Sequence, residues 1–241
     1  MNRNIIVFVS LLAIQGTVAS PHAQGRSTPY PLPDAPVMLQ TVNADIKVSV
    51  VADGIPRPFG FAVLPDGDML ITDRYTPSLR VIRNDVLDPE PLQGLPDIRT
   101  GFHSGLLDVE VHPDYANNQL IYLTYHTALE TEGEYAITLG RARYDGSDTL
   151  DGFEQLFVGT PMTISGGSRM VFAPDGKLFV TVGGAMDRRP LAQDLARLEG
   201  KVLRLNDDGS VPADNPFVGQ ADVHPAIYSY GHRDQYAVAI H

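Results

Sequence analysis

Cysteine is absent from all 241 residues. Disulfides, thiolate metal sites and cysteine nucleophiles are therefore excluded together, and any metal must be held by oxygen or histidine. Basic residues are also scarce, with 18 Lys and Arg against 29 Asp and Glu and a formal net charge of -11. A broad basic face for a phosphate backbone would need unusual charge segregation, so nucleic acid is not an expected partner. No apolar run reaches the roughly 20 residues that cross a bilayer. Gly166-Gly167 and Gly183-Gly184 do not form the strand–GxGxxG–helix pattern of a dinucleotide site, and Gly166-Gly167-Ser168 does not match GxSxG. Asn206-Asp207-Asp208-Gly209-Ser210 lacks the ligand spacing and terminal Glu of an EF-hand and reads as a turn.

What is present is 43% hydrophobic residues with 22 Gly and 19 Pro. That balance is too apolar for disorder and too rich in turn formers for a helical bundle, leaving one loop-rich, mostly β domain. Residues 1–19 read as a secretory signal peptide: Arg3 is the basic start, Ile5 to Ile14 is apolar except for Ser10, and Thr17-Val18-Ala19 is a small-residue cleavage pattern. Cleavage after Ala19 or Ala23 fits. Export with no cysteine suits an oxidising bacterial periplasm, so the expected location is periplasmic or secreted, with no membrane span after signal removal. Residues 20–44 hold Pro21, Pro29, Pro31, Pro33 and Pro36 and read as a tether or extended lead-in. The folded domain is expected over 45–241.

Within it one sentence is repeated. Phe61-Ala62-Val63-Leu64 meets Pro65-Asp66-Gly67 and resumes as Met69-Leu70-Ile71-Thr72. Met170-Val171-Phe172-Ala173 meets Pro174-Asp175-Gly176 and resumes as Leu178 to Val182. Between them, Val109 to Val111 meets His112-Pro113-Asp114 and resumes as Leu120 to Tyr125. Each is a strand, a turn in which Pro fixes φ, and a second strand. The turns are about 48 and about 61 residues apart, near the length of a propeller blade with loop insertions. A helical spacing occurs only at Leu191, Leu195 and Leu198, predicting a short helix within 190–203.

Gly105-Leu106-Leu107-Asp108-Val109 with His112-Pro113-Asp114-Tyr115, Ser168-Arg169-Met170-Val171-Phe172, Pro174-Asp175-Gly176-Lys177-Leu178, Ala192-Gln193-Asp194-Leu195, Gly200-Lys201-Val202-Leu203-Arg204-Leu205, Asp214-Asn215-Pro216-Phe217 and Tyr230-Gly231-His232-Arg233 follow one another in order. This series resembles the glucose/sorbosone dehydrogenase family, the soluble quinoprotein aldose sugar dehydrogenases. The resemblance implies an all-β, six-bladed propeller that carries pyrroloquinoline quinone (PQQ) with calcium. It also implies oxidation of an aldose sugar at C1 by hydride transfer to the quinone and then to an unspecified electron acceptor. The cofactor would supply the chemistry, and the protein position and a base.

Four departures from the family pattern bear on function. Ser165 stands where the family carries its base histidine, and a hydroxyl cannot accept a proton at neutral pH as imidazole does. His103 stands where the family has Gln before the GLLDV segment, and is either a relocated base or a solvated loop histidine. Arg233 is retained as a candidate cofactor contact, but Asp234 follows it where the family has Asn, bringing a negative charge toward a cofactor with three carboxylates. Last, family members continue into further blades beyond the segment matched by His241, so about four of six blades and a fragment of a longer protein are expected. Two functions follow: a PQQ-dependent sugar dehydrogenase of altered or reduced activity, or a non-catalytic exported propeller that binds a carbohydrate or protein. One consequence is directly measurable: N-terminal sequencing of exported protein should read a start between Ser20 and Gln24, and Met1 on mature material would refute export by cleavage.

Overall fold

The computed structural model describes residues 32–101, 103–163, 166–184 and 189–241. The expected signal peptide, Ser165 and Phe102 lie outside them. The chain divides into two compact units, Met1–Asp53 and Gly54–His241. In the first, β1 (Val37–Gln40) pairs antiparallel with β2 (Asp45–Val48), joined by a turn in which Thr41 caps Ala44. The strand β1 therefore lies inside the proline-rich lead-in.

The second unit is built from three four-stranded antiparallel sheets, each in simple up-and-down order. Sheet 1 holds β3 (Pro58–Val63), β4 (Met69–Asp73), β5 (Ser78–Arg83) and β6 (Val86–Leu87). Sheet 2 holds β7 (Leu106–Val111), β8 (Leu120–Ala128), β9 (Tyr135–Arg143) and β10 (Asp151–Val158), with a one-turn helix α1 (Tyr115–Asn118) between its first two strands. Sheet 3 holds β11 (Met170–Phe172), β12 (Leu178–Val182), β13 (Lys201–Leu205) and β14 (Ile227–Tyr230). This is the blade pattern of an incomplete β-propeller. The expected four blades resolve into three complete sheets and the separate β1–β2 hairpin.

Each repeated sequence unit forms the first hairpin of one sheet, as its turn chemistry requires. The three Pro-containing turns consequently lie at one end of the sheets, and the starts of β3, β7 and β11 lie at the other. Sheet 2 is buried on both faces. Ile121, Leu123 and Tyr125 join Leu70, Leu79 and Val81 of sheet 1 in one core, while Tyr122, Ile137 and Leu139 join Leu178, Val180 and Leu203 of sheet 3 in another. That double burial is why Leu120 to Tyr125 reads as an apolar run rather than an alternation. Phe61 and Val63 on sheet 1 and Tyr228 on sheet 3 remain exposed.

The helix expected within 190–203 does not form. Arg189–Ala192 is a short 3-10 turn, and the Asp194 carboxylate accepts the Ala196 N–H at 3.0 Å, diverting the backbone into an Asx turn. Gly200 then takes φ +70 and Lys201 opens β13. The three leucines recur because each has its own packing place, with Leu198 fully buried in the core of sheets 2 and 3.

The sheets meet closely at Gly60. A Cβ there would lie 2.3 Å from Asp108 Oδ1 and 2.8 Å from its Cα, so only glycine lets β3 approach β7 to this distance. Gly60→Ala should lower unfolding free energy by roughly 1–3 kcal/mol or more, measured by denaturant titration, whereas Gly67→Ala, in open space but at φ +98, should act through local turn strain alone.

Candidate active site

The loop-rich end, where β3, β7 and β11 begin, collects most of the polar groups that chemistry requires. Its framework is an ion pair. Asp108 on β7 is buried and accepts Arg169 Nη1 at 3.1 Å and the Met170 N–H at 2.7 Å, so sheet 2 holds the start of sheet 3. Arg169 also donates through Nη2 to Phe59 O at 2.6 Å on β3 and through Nε to Tyr236 O at 2.9 Å. Burial pushes the Asp108 carboxyl up to about 6, against the opposing pull of Arg169.

Arg74 follows β4 and is buried beneath this layer. Its Nη2 donates to His103 O at 2.5 Å and to Gly166 O at 3.2 Å, linking the loop before β7 to the segment before β11. The Arg74 and Arg169 guanidinium groups lie 4.5 and 4.3 Å from the centroid of the Phe59 ring, a pair of cation–π contacts that fixes both cations around one aromatic.

His103 sits in a tight loop at φ +57, between Gly101 at φ +134 and Gly105 at φ +142. Gly105 cannot be replaced easily, since a Cβ would fall 1.8 Å from Arg74 O. The loop is held from below by buried His126, whose ring Nδ1 accepts the Gly105 N–H at 3.2 Å and whose backbone N–H donates to Gly105 O at 3.1 Å. Burial and then Arg74 lower the His126 pKa to about 3, so it stays neutral. The His103 ring is half-buried, and its pKa is lowered first by burial, then by Arg74, while Asp234 opposes both.

The segment after β14 completes the cluster. Asp234 Oδ1 accepts the Gly167 N–H at 2.8 Å, and Oδ2 accepts the Tyr236 hydroxyl at 2.9 Å. The negative charge expected to trouble an anionic cofactor is thus engaged by protein donors. Arg233 is exposed and makes no ion pair with Asp234 or any other acid among the described residues. Of the sequence-predicted residues, His103 and Asp234 are brought together here, Arg233 adjoins them along the chain, and Ser165 lies outside the described residues. Arg74, Asp108, Arg169 and His126 were not assigned roles from sequence. Asp108 and Arg169 stood in recognisable motifs, but nothing local marked them as each other's partner.

Two other features lie away from this cluster. His112, at the turn end, accepts the Asp114 N–H and packs edge-on to Phe172, in keeping with a turn-packing role. Beside it a cleft of about 460 Å³ is lined by Phe61, Val63, Glu110 and Tyr115, and burial followed by the neighbouring Asp108 charge pushes Glu110 up to about 8.

The architecture and this polar cluster at the strand starts define an all-β propeller with a candidate site on its loop face. The glucose/sorbosone dehydrogenase profile matches residues 55–241, and the chain belongs to that family. It is 36% identical over 207 residues to aldose sugar dehydrogenase YliI of Escherichia coli, covering 84% of this chain and 55% of that protein. The apo crystal structure of the E. coli soluble aldose sugar dehydrogenase superposes with TM-score 0.71 at 36% identity, over 77% of this chain and 54% of that one. The PQQ-bound aldose sugar dehydrogenase of Streptomyces coelicolor superposes with TM-score 0.67 at 28% identity, over 85% and 57%. The chain spans about half the length of the curated relatives it matches. No helix among the described residues is long and apolar enough to cross a membrane.

The buried imidazole gives a test of this site's packing. A base whose folded pKa is depressed contributes stability above its unfolded pKa of about 6.5 and loses it as pH falls toward the folded value. Between pH 7 and pH 5, His126 should therefore cost roughly 2 kcal/mol of stability, while Asp108, shifted the other way, partly offsets it. Denaturant melts of wild type and His126→Gln across this range should differ by that slope. Parallel pH dependences would show that His126 is not buried neutral.

Proposed function

We propose that this chain forms part of an exported, PQQ-dependent aldose dehydrogenase-like protein in which His103 accepts the proton of the sugar C1 hydroxyl. The observation that carries the reading is the convergence of His103, Arg74 and Asp234 at the loop end of a propeller whose family relatives include sugar dehydrogenases. The donor set suits a planar, anionic quinone. Arg233 is an exposed cation with no acidic partner among the described residues, and the Arg74 Nε–H and Ser168 hydroxyl are buried without a hydrogen-bond partner. No group of three or more His, Asp or Glu side chains able to hold a metal occurs among the described residues, so calcium is assigned no ligands and no step.

When bound, the quinone supplies a two-electron hydride acceptor. The residues of this chain do the rest. Arg233 would hold a carboxylate or quinone oxygen of the cofactor, a task that suits a planar guanidinium better than an ammonium. His103 would take the proton of the sugar C1 hydroxyl, its ring kept neutral by partial burial and then by Arg74. The same burial weakens it as a base, and with Ser165 at the family's base position a slow enzyme is expected. The periplasm or the extracellular space is the proposed location, and the final electron acceptor is external.

A dye-reduction assay of the full-length protein with added PQQ, calcium and several aldoses tests this. His103→Ala should lower turnover by roughly 10²-fold or more with quinone affinity retained, and Arg233→Ala should weaken quinone binding by about tenfold in a fluorescence titration. A gain on Ser165→His with indifference at His103 would favour a decayed dehydrogenase kept for binding. Absence of quinone binding would leave the non-catalytic propeller.

A further inference from the structure

The cleft at the turn end, about 460 Å³, has room for a small organic molecule. β3 and its Pro65 turn line one side, and β7, the His112-Pro113 turn and α1 line the other. Much of the wall is apolar or aromatic, with Phe61 and Val63 exposed and Tyr115 opposite. Into this wall is set one half-buried carboxyl, Glu110, whose side chain makes no hydrogen bond or ion pair among the described residues. The cations that could answer it are committed. Asp108, two positions earlier on the same face of β7, takes Arg169. Strand register puts Tyr122 and then Arg141 beside Glu110 on that face, but Arg141 is bound to Glu154 and to Asp207 O. His112 spends Nδ1 on the Asp114 N–H, and its Nε2 lies 3.9 Å from Asp207. A carboxyl left half-buried without a donor is an exception among polar groups, and burial followed by the Asp108 charge makes it reluctant to ionise.

We infer that this cleft is a binding site for a small organic cation of the alkylammonium class, its positive head on Glu110 and its alkyl body against Phe61, Val63 and Tyr115. A carboxylate with aromatic faces beside it holds an ammonium both by charge and by attraction to the rings. The bound cation supplies the partner that no side chain of the protein gives Glu110. An anion would be repelled by Glu110 and Asp108 together. A bare metal ion is a poorer fit, since no group of three or more His, Asp or Glu side chains able to hold one occurs among the described residues. An alkylammonium needs only one carboxylate and an apolar wall, and the cleft offers both. The site lies at the opposite end of the sheets from the His103 loop and needs no quinone, so it is independent of the dehydrogenase reading.

The test uses two probes of one shape on the full-length protein: choline, which carries the charge, and 3,3-dimethylbutan-1-ol, in which carbon replaces the nitrogen. Each is titrated by NMR at about pH 9, where a carboxyl pushed up to about 8 is ionised, with the methyl signals of Val63 and Val111 as reporters. Choline should shift both signals saturably, and the alcohol should bind about tenfold more weakly or not at all. Glu110→Gln keeps the shape and removes the charge, so it should weaken choline about tenfold and leave the alcohol unchanged. Phe61→Ala, at an exposed position, should weaken both probes. Equal binding of choline and the alcohol by the wild-type protein, a comparison that needs no variant to fold, would overturn the inference. Full choline affinity in Glu110→Gln, or the absence of any saturable shift with choline, would overturn it as well.

Discussion

Asp108 and Arg169 meet where three sheets come together, and much of the site hangs from that contact. One carboxylate on β7 holds both the side chain of Arg169 and the backbone of Met170, and the same guanidinium reaches β3 through Phe59 O and the C-terminal segment through Tyr236 O. Burying such a pair is costly, and it is tolerated because nearly every donor and acceptor finds a partner. Removing one member would leave the other charge desolvated, a loss of about 3–5 kcal/mol in comparable cases. Gly60 belongs to the same arrangement, since any larger residue would push β3 off the carboxylate.

From this anchor the division of labour between the two ends of the sheets follows. The turn end carries the repeated Pro-containing hairpins, and its contacts are local or knit neighbouring sheets, as where Tyr122 and Arg141 both donate to Asp207 O. The loop end carries positive-φ residues, buried cations and long-range bonds. Arg74 is central there because its guanidinium, always charged and with donors in a rigid fork, can satisfy carbonyls from two loops at once. Burial, and after it the Arg74 charge, lower the basicity of both His103 and His126.

The chain shares with the family the motifs that organise its sheets, and departs from it in sequence at a few loop positions. The residues that organise the sheets, Asp108 and Arg169, lie in the motifs that carried the resemblance. The departures read from the sequence are His103, Ser165 and Asp234, of which His103 and Asp234 lie among the described residues. Framework positions are constrained by packing from several sides, whereas loop-end side chains face fewer neighbours and can change with less effect on the fold.

The sequence by itself determined the class of fold, because strand, Pro-turn, strand is a local instruction repeated three times, and local instructions are written in adjacent residues. It also exposed His103, Arg233 and Asp234 as departures or retained contacts worth locating. It misjudged Leu191, Leu195 and Leu198, whose spacing mimics a helix although Asp194 and Gly200 turn the chain. What only the tertiary structure decided are relations between residues far apart in the chain. Arg169 finds Asp108 across 61 positions, Arg74 reaches Gly166 across 92, and Asp234 enters a space left by Gly166 and Gly183. A glycine pair reads in sequence as a turn or as flexibility. That it is a cavity shaped for one carboxylate depends on where the folded backbone brings a distant segment, and no spacing rule encodes that.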